Sequence, residues 1–381
     1  MNPGRYAIFV RRYLGMAHRN IKDKSALHVQ KGIEQPPQVS DSAISKFKEI
    51  SQTKLEVEDY VAGIRASNRV ILGKAITLVE SSLHSHQQLA QQVINGCLPY
   101  SGHSIRVGIT GVPGAGKSTF IEALGKYLTG QGRRLAILAI DPSSQRSKGS
   151  ILGDKTRMEQ LSVDPNAFIR PSPSGGSLGG VARKTHETII LCEAAGYDTI
   201  FVETVGVGQS ETAVHSMVDF FLLLMIPGAG DELQGIKRGI IEMADAIIIN
   251  KADGDNLLRA ERAATEYRNA LHLMPPSASG WSPPVELCSA LNNTGISQTW
   301  EIVTKYVEHT RANGFLVKKR NDQLRQTFYH TIREQLIDDF YSNESVKNRL
   351  KTIEAQLANS EINAYAAAQE LISLYFQSVR E

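Results

Sequence analysis

Short apolar runs alternate with amphipathic segments through the middle of this chain. Six runs have the length and the Val, Ile, Leu and Phe content of buried strands, and segments of helical periodicity separate them. This alternation is typical of an α/β fold with a doubly wound parallel sheet, whose helices cover both faces. The predicted strands are residues 105–110, 135–140, 199–203, 220–226, 246–250 and 285–289.

Helical patterns continue on both sides of this region. Residues 55–95 carry an apolar stripe of Val70, Ile71, Ala75, Leu78 and Val79 after a cap at Ser67 or Asn68. Beyond residue 300 the segments 324–341 and 364–376 are amphipathic, as expected of an extra bundle packed on the sheet or of an arm for self-association. We therefore predict an N-terminal helical segment at 43–104, a nucleotide-binding domain at 105–310 and a C-terminal helical region at 311–381.

The composition excludes several classes of protein. Of the 381 residues, 41% are hydrophobic and 21% are charged, as in an ordinary globular protein. The net charge of +3 is too small to indicate a nucleic-acid partner, and three widely spaced cysteines form no disulfide framework or zinc motif. The most apolar run, residues 220–226, is too short to cross a bilayer. We expect neither nucleic acid nor membrane as a partner.

The first 22 residues contain no acid and five basic side chains, with aromatic and aliphatic residues between them. Such a start resembles a mitochondrial transit peptide, although serine is scarce in it. The alternative is a basic tail on a cytoplasmic protein. Residues 32–42, with two adjacent prolines, are interpreted as a linker, so residues 1–42 are predicted to be transit peptide and linker.

A glycine-rich segment, GVPGAGKST, follows the first predicted strand and satisfies the G-x-x-x-x-G-K-[ST] pattern of a phosphate loop. Its glycines allow backbone N–H groups to converge on an anion at the start of a helix. Lys117 would reach the β- and γ-phosphates, and the Ser118 hydroxyl would bind Mg²⁺. The predicted phosphate-binding residues are Gly111, Val112, Pro113, Gly114, Ala115, Gly116, Lys117, Ser118 and Thr119.

Acidic residues follow two later strands of the predicted sheet. Asp141 ends the second strand, and Asp154 lies in the Gly- and Ser-rich loop beyond it. Either carboxylate would suit Mg²⁺, but Asp141 could equally form a turn and Asp154 a helix cap. Glu203 ends the third strand, where GTPases usually carry Asp-x-x-Gly, and it would hold the Mg²⁺ shell or orient the attacking water.

Three glycine-containing segments are expected near this site. Gly206 and Gln209 follow Glu203, and Gln209 is a weaker candidate for positioning water. Asp231 lies in a charged cluster between glycines, which is either a mobile segment or a loop whose Asp231 caps the next helix. Residues 171–180 carry no ionisable group and are either a hinge or a flap over the substrate.

Two short strings predict that the nucleotide is a guanine nucleotide. Asn250, Lys251 and Asp253 form the N-K-x-D pattern, in which the carboxylate accepts hydrogen bonds from guanine N–H groups that adenine lacks. After the sixth strand comes the S-A-x element, which offers a backbone amide to the guanine carbonyl and consists of Ser289, Ala290 and Leu291. Each string follows its own apolar strand, after the phosphate loop in the chain, and this order indicates specificity for guanine. The predicted ligands are therefore GTP and GDP.

Together these motifs resemble the MeaB-type GTPases, the family that includes the methylmalonic aciduria type A protein. The resemblance rests on long strings, including AITLVES, GVPGAGKST, GSILGDKTRM, RPSPSGGSLGG, ETVGVGQSE, GDELQGIKRGIIEMAD and NKADGD. It implies a homodimeric GTPase that uses Mg²⁺ and dimerises through its C-terminal helices. Its partner would be cobalamin-dependent methylmalonyl-CoA mutase, whose adenosylcobalamin loading it would gate and which it would protect or reactivate.

The resemblance also implies roles for individual residues. It assigns Lys117, Ser118, Asp141, Asp154 and Glu203 to phosphate, Mg²⁺ and hydrolysis. The segment from Asp231 to Lys237 becomes a switch that couples to the partner, and a mitochondrial matrix location agrees with that partner. Two other interpretations remain, a phosphate-loop kinase and a metal-insertion GTPase. N-K-x-D disfavours the first, and the scattered histidines disfavour the second.

Overall fold

The computed structural model describes residues 55–141, 158–173, 178–204, 210–228 and 238–380. Its sheet contains the strands β1 Ile105–Gly111, β2 Leu135–Asp141, β3 Ala167–Pro173, β4 Thr199–Thr204, β5 Phe220–Met225, β6 Ala246–Ile249 and β7 Val285–Leu287. All neighbouring strands are parallel, in the order β3-β2-β4-β1-β5-β6-β7. The predicted α/β class with a parallel sheet is confirmed.

Helices connect and flank these strands. Before the sheet lie α1 Val57–Arg65, α2 Arg69–Glu80 and α3 His84–Cys97. Between strands lie α4 Lys117–Gly130, α5 Glu159–Ser162, α6 Leu178–Ala194, α7 Ser210–His215, α8 Arg238–Met243 and α9 Leu257–His272. After β7 come α10 Ile296–Ala312, α11 Phe315–Ser342, α12 Glu344–Ala358 and α13 Ala364–Arg380. Among the described residues, no helix is long and apolar enough to span a membrane.

Both faces of the sheet are buried, which explains why its strands are continuously apolar. In β1, Val107 and Ile109 belong to the core that α4, α9 and α10 cover. Gly108 faces the opposite core, where a Cβ would lie 2.8 Å from Val214 and 2.9 Å from Phe221. Side chains alternate between faces along a strand, so a sheet covered on both sides needs apolar residues at every position.

The edge strand β3 is the element that the sequence pattern missed. Residues 171–180 were predicted to be a hinge or flap, but residues 171–173 continue β3 and residues 178–180 begin α6. β3 pairs with β2 alone, and Pro171 lies opposite Ala139. Proline is tolerated on an edge strand because one side of that strand needs no N–H donor. The prediction of a loop over all ten residues was therefore wrong.

The N-terminal helices pack on one face of the sheet. The Asn68 side chain accepts hydrogen bonds from the backbone N–H groups of Val70 and Ile71, so the predicted cap is confirmed. The predicted stripe on α2 is only partly correct. Val70 is 66% exposed, whereas Leu72 and Ile76 are fully buried, because α2 contacts α1, α3 and α6 at once.

The long helix α11 is fastened to the sheet near its first turns. Arg320 donates to both carboxylate oxygens of Asp219, at 2.8 and 2.7 Å, and to the carbonyl oxygens of Gly102 and Ser104. Asp219 also accepts from the backbone N–H of Arg106 at the start of β1. A bidentate arginine–carboxylate pair fixes orientation as well as distance. The beginning of α11 is thus held against the amino-terminal edge of the sheet.

Candidate nucleotide-binding site

The phosphate loop lies where the strand order of the sheet reverses. β1 lies between β4 and β5, and the loop joins its carboxyl end to α4. Open parallel sheets bind ligands at such a switch point, because the connections to either side leave a crevice there. Residues from β1, β4, β5 and β6 therefore converge on one small region, as the sequence predicted.

The backbone of the phosphate loop requires glycine at specific positions. Gly114 and Gly116 have φ angles of +77° and +81°, in the left-handed region that side chains disfavour. A Cβ on Gly111 would clash with the carbonyl oxygen of Leu224 on the adjacent strand. At Gly116 a Cβ would lie 3.0 Å from the side-chain amide nitrogen of Asn250. Glycine is therefore needed in this loop for two reasons: the positive φ angles, and the close approach of neighbouring segments to the loop backbone.

Lys117 folds back over the loop that precedes it. Its Nζ donates a 2.9 Å hydrogen bond to the carbonyl oxygen of Gly111. Burial lowers the pKa of this amine, while the nearby carboxylates of Glu203 and Glu211 act to raise it. The two acids favour the charged amine at the mouth of the loop, where an anion would be bound.

The structure brings only part of the predicted acidic set together. Glu203 lies near the end of β4, opposite Ile109 of β1 and Ala139 of β2, and its charge acts on Lys117. Asp141 is the last residue of β2, so its backbone lies at the same edge of the sheet. The predicted residues that lie outside the described part are Asp154, Gly206, Gln209, Asp231 and Lys237.

Glu211 is an acidic residue near the site that our sequence interpretation did not assign. It lies in the first turn of α7, is 3% exposed, and its charge acts on Lys117. Buried carboxylates are rare unless a partner or a function requires them. The available signal was its place at the end of the ETVGVGQSE string, directly after the predicted switch.

Asn250 links the guanine-reading loop to the phosphate loop. Its side-chain amide donates a 2.8 Å hydrogen bond to the carbonyl oxygen of Ala115. Its side-chain oxygen accepts a 3.1 Å hydrogen bond from the backbone N–H of Ala290. Asn250 is 2% exposed, so both bonds are protected from water. One side chain thus sets the spacing among the three predicted nucleotide-binding segments.

The remaining residues of the two strings surround the expected position of the base. The Asp253 carboxylate accepts a hydrogen bond from the Ser289 hydroxyl, which orients it. Lys251 has a φ of +60°, and the N–H of Ala252 donates to the carbonyl oxygen of Cys288. Leu291 is 78% exposed. The role of the Ser289 side chain in orienting Asp253 was not predicted from the sequence.

In the segments that the structure describes, no three His, Cys, Asp or Glu side chains are arranged to hold a metal ion. Ser118 at the start of α4 and the carboxylates at the edge of the sheet offer the oxygen ligands that Mg²⁺ prefers. The assignment of Ser118, Asp141, Asp154 and Glu203 to Mg²⁺ remains a prediction.

A phosphate loop at the switch point, with a lysine folded into it and a guanine-reading loop tied to it, defines a phosphate-loop GTPase. The chain belongs to the family described as "Methylmalonyl Co-A mutase-associated GTPase MeaB", whose model matches residues 72–345. The resemblance inferred from the motifs is confirmed.

Curated relatives and a solved structure agree with this family. The chain is 45% identical over 329 residues to "Methylmalonic aciduria type A homolog, mitochondrial" of Mus musculus, covering 84% of this chain and 79% of that protein. It is 47% identical over 281 residues to "GTPase ArgK" of Escherichia coli, covering 74% and 85%. The crystal structure of an "LAO/AO transport system kinase" matches with a TM-score of 0.66 and 36% identity, covering 84% of this chain and 97% of that one.

Proposed function

We propose that this GTPase is a chaperone of cobalamin-dependent methylmalonyl-CoA mutase. It would gate the loading of adenosylcobalamin and protect or reactivate the mutase, with the bound nucleotide setting its conformation. The observation that carries this proposal is the similarity to the mouse methylmalonic aciduria type A homolog over 84% of the chain. The family description, which names association with that mutase, supports it.

Each side chain assigned to the site has a place in GTP hydrolysis under this proposal. Lys117 would hold the β- and γ-phosphates, and Asp253 would accept hydrogen bonds from guanine. Mg²⁺, bound by Ser118 and the carboxylates of Asp141, Asp154 and Glu203, would neutralise phosphate charge. Glu203 would orient the attacking water, since its charge already reaches Lys117 beside the expected γ-phosphate.

We also propose that the protein is a homodimer formed through its C-terminal helices. One face of α11 exposes apolar side chains at helical spacing, namely Leu324, Phe328, Ile332 and Leu336, which are 52%, 60%, 40% and 60% exposed. Contiguous exposed apolar faces are uncommon on monomers, and a second copy would cover this one. Replacing Phe328 with Glu should yield a monomer by sedimentation, and a variant that still dimerised would contradict this interface.

The location proposed for the protein is the mitochondrial matrix, with the cytoplasm as the alternative. The named mouse relative is mitochondrial, and the first 22 residues have the basic, acid-free composition of a transit peptide. These residues lie outside the described part of the chain. Fractionation of cells that express the full chain or a chain starting at residue 43 tests the location, and identical distributions would contradict it.

The function is tested by measuring mutase behaviour with the purified protein. Adenosylcobalamin transfer to the mutase, and mutase inactivation over time, should differ between GDP and a non-hydrolysable GTP analogue. Phosphate release to water without an added acceptor separates a GTPase from a kinase. If the mutase behaved identically with either nucleotide while GTP hydrolysis persisted, the chaperone role would be wrong and the GTPase assignment would stand.

A further inference from the structure

A hydrogen bond between two buried threonine side chains joins the carboxyl ends of β1 and β4. The hydroxyl oxygens of Thr110 and Thr204 lie 2.8 Å apart, so one hydroxyl donates to the other. Thr110 is 1% exposed and Thr204 is fully buried. Water therefore does not compete for this bond, which is stronger in the protein interior than it would be in water. Neither threonine belongs to the phosphate loop or to the guanine-reading strings.

This bond lies where the two strands separate. The register of β1 with β4 ends at Ile109, which lies opposite Glu203. Beyond this point β1 continues beside β5 to Gly111, while β4 continues beside β2 to Thr204. The threonine hydroxyls thus connect the two strands one position beyond their last backbone pair. This position is the switch point of the sheet, where the crevice for a ligand opens.

Each threonine is the direct neighbour of a residue of the nucleotide site. Thr110 precedes Gly111, whose carbonyl oxygen accepts the 2.9 Å hydrogen bond from Lys117. Thr204 follows Glu203, which lies on the face of the sheet that α4 covers, because the preceding residues of β4 alternate between the two cores. Thr204 therefore lies on the opposite face. The hydroxyl pair ties the strand that carries Glu203 to the strand that carries the phosphate loop.

The packing on that face restrains the pair. Gly108 lies two positions before Thr110 on the same face, where a Cβ would be 2.8 Å from Val214 and 3.0 Å from Val218. Both valines are fully buried. Side chains in such a close-packed interior keep defined rotamers. The two hydroxyls are therefore held in place, and the separation of the two strand ends is fixed.

We propose that Thr110 and Thr204 are positioning residues for GTP hydrolysis, which fix the distance between Glu203 and the phosphate loop. β1 keeps its pairing with β5 up to Gly111, so the loop stays in place without the hydroxyl pair, whereas the end of β4 shifts relative to it. A displacement of about 1 Å in an active site can slow a reaction about 100-fold. This inference rests on the water-orienting role proposed for Glu203, and it does not depend on the chaperone role.

The test compares Thr110→Val, Thr204→Val and the double variant in the full chain, since valine keeps the shape of threonine without its hydroxyl. Each single variant leaves one buried hydroxyl without this partner and should lower the thermal midpoint by about 1–4 °C. The double variant removes both hydroxyls and should recover most of that loss. All three should hydrolyse bound GTP about tenfold more slowly in a single turnover. Their affinities for GDP and for a non-hydrolysable GTP analogue should stay within about twofold of the natural chain, because the phosphate loop is unchanged.

The double variant separates a positioning role from a purely structural one, because its stability should recover while its hydrolysis should not. Thr204→Ser retains a hydroxyl and should hydrolyse GTP at nearly the rate of the natural chain. The matched control is Thr310→Val. Thr310 is fully buried in the last turn of α10, and its hydroxyl donates to the carbonyl oxygen of Tyr306 at 2.8 Å. This control should lose stability without any loss of hydrolysis.

Three results would overturn the inference: hydrolysis that recovers together with stability in the double variant, undiminished hydrolysis in either single valine variant, and a parallel loss of nucleotide affinity. Glu203→Ala is the reference, and adding Thr204→Val to it should slow hydrolysis no further. Additive losses would show that the pair does not act through Glu203. Undiminished hydrolysis in Glu203→Ala alone would instead disprove the role proposed for Glu203, so the two failures are distinguishable.

Discussion

The side-chain amide of Asn250 donates a 2.8 Å hydrogen bond to the carbonyl oxygen of Ala115, which joins the guanine-reading loop to the phosphate loop. The two residues are 135 positions apart in the chain. The same side chain accepts from the N–H of Ala290. A base and a phosphate held by separate loops need a fixed separation, and this buried amide supplies it.

Replacing Asn250 with Ala should therefore weaken GTP and GDP binding together, by at least about tenfold. Two buried groups would be left without partners, which costs about 2 kcal/mol in the free energy of unfolding. Fluorescent nucleotide titration and urea denaturation measure the two effects. Asn269→Ala, at an exposed position on α9, is the control. An unchanged affinity in the Asn250 variant would show that the loops keep their spacing without it.

Replacing Asp253 with Asn should change the base that is read. The carboxylate only accepts hydrogen bonds, so it suits the two N–H donors of guanine, whereas an amide can also donate to the additional carbonyl of xanthine. We expect GTP affinity to fall about 100-fold and xanthosine triphosphate to become the better ligand. Competition binding with both nucleotides measures this preference. Equal losses for both nucleotides would mean that Asp253 does not contact the base.

Replacing Gly116 with Ala should disrupt the site more than the fold. The φ of +81° costs about 1–2 kcal/mol with a side chain, and the new Cβ would press on the Asn250 amide. Nucleotide affinity should fall by more than the loss of folding stability alone would explain. Gly130→Ala, at the end of α4 with open space around it, is the matched control and should be neutral. Equal behaviour of the two variants would refute the packing argument.

Replacing Glu203 with Ala should separate binding from hydrolysis. The carboxylate lies at the edge of the sheet beside Lys117, where it would orient water rather than hold the base. We expect near-normal GTP affinity and hydrolysis about 100-fold slower, the usual size of a lost general-base contribution. Single-turnover hydrolysis and nucleotide titration are compared. Parallel loss of both activities would assign Glu203 to binding instead.

Stability should decrease as the pH falls below 6.5. Burial, assisted by the charge of Arg106, lowers the pKa of His186 to about 4, while Glu193 acts to raise it. Between these two pH values the unfolded chain binds a proton that the folded chain does not, so acid favours unfolding. The loss from His186 at pH 5 is about 2 kcal/mol. The free energy of unfolding, measured by urea denaturation, should differ less between pH 7 and pH 5 for His186→Gln than for the natural chain. An equal difference in the two proteins would exclude His186 as the source of the pH dependence.

Local patterns were sufficient for much of the fold and part of the site. Each apolar run that was predicted as a strand forms one, because strands buried on both faces need apolar residues at every position. The phosphate loop follows β1, since glycine conformation and the start of α4 are encoded within nine consecutive residues. The guanine-reading strings likewise follow β6 and β7, where the alternation of elements placed them.

The wrong predictions concern residues whose structure depends on segments that are distant in the sequence. Pro171 disfavours a strand by itself, yet it forms one because β3 lies at an edge where one side needs no donor. Val70 fits a helical stripe, yet it is exposed because α2 turns a different surface toward α1, α3 and α6.

The sequence by itself determined the class of this protein, because the phosphate loop and the guanine-reading strings are short and act through their own backbone and side chains. Only the tertiary structure revealed the bond between Asn250 and Ala115, the approach of Glu211 to Lys117, and the anchor between Arg320 and Asp219. These pairs lie about 90 to 135 positions apart, and no periodicity in one segment specifies which distant segment will pack against it.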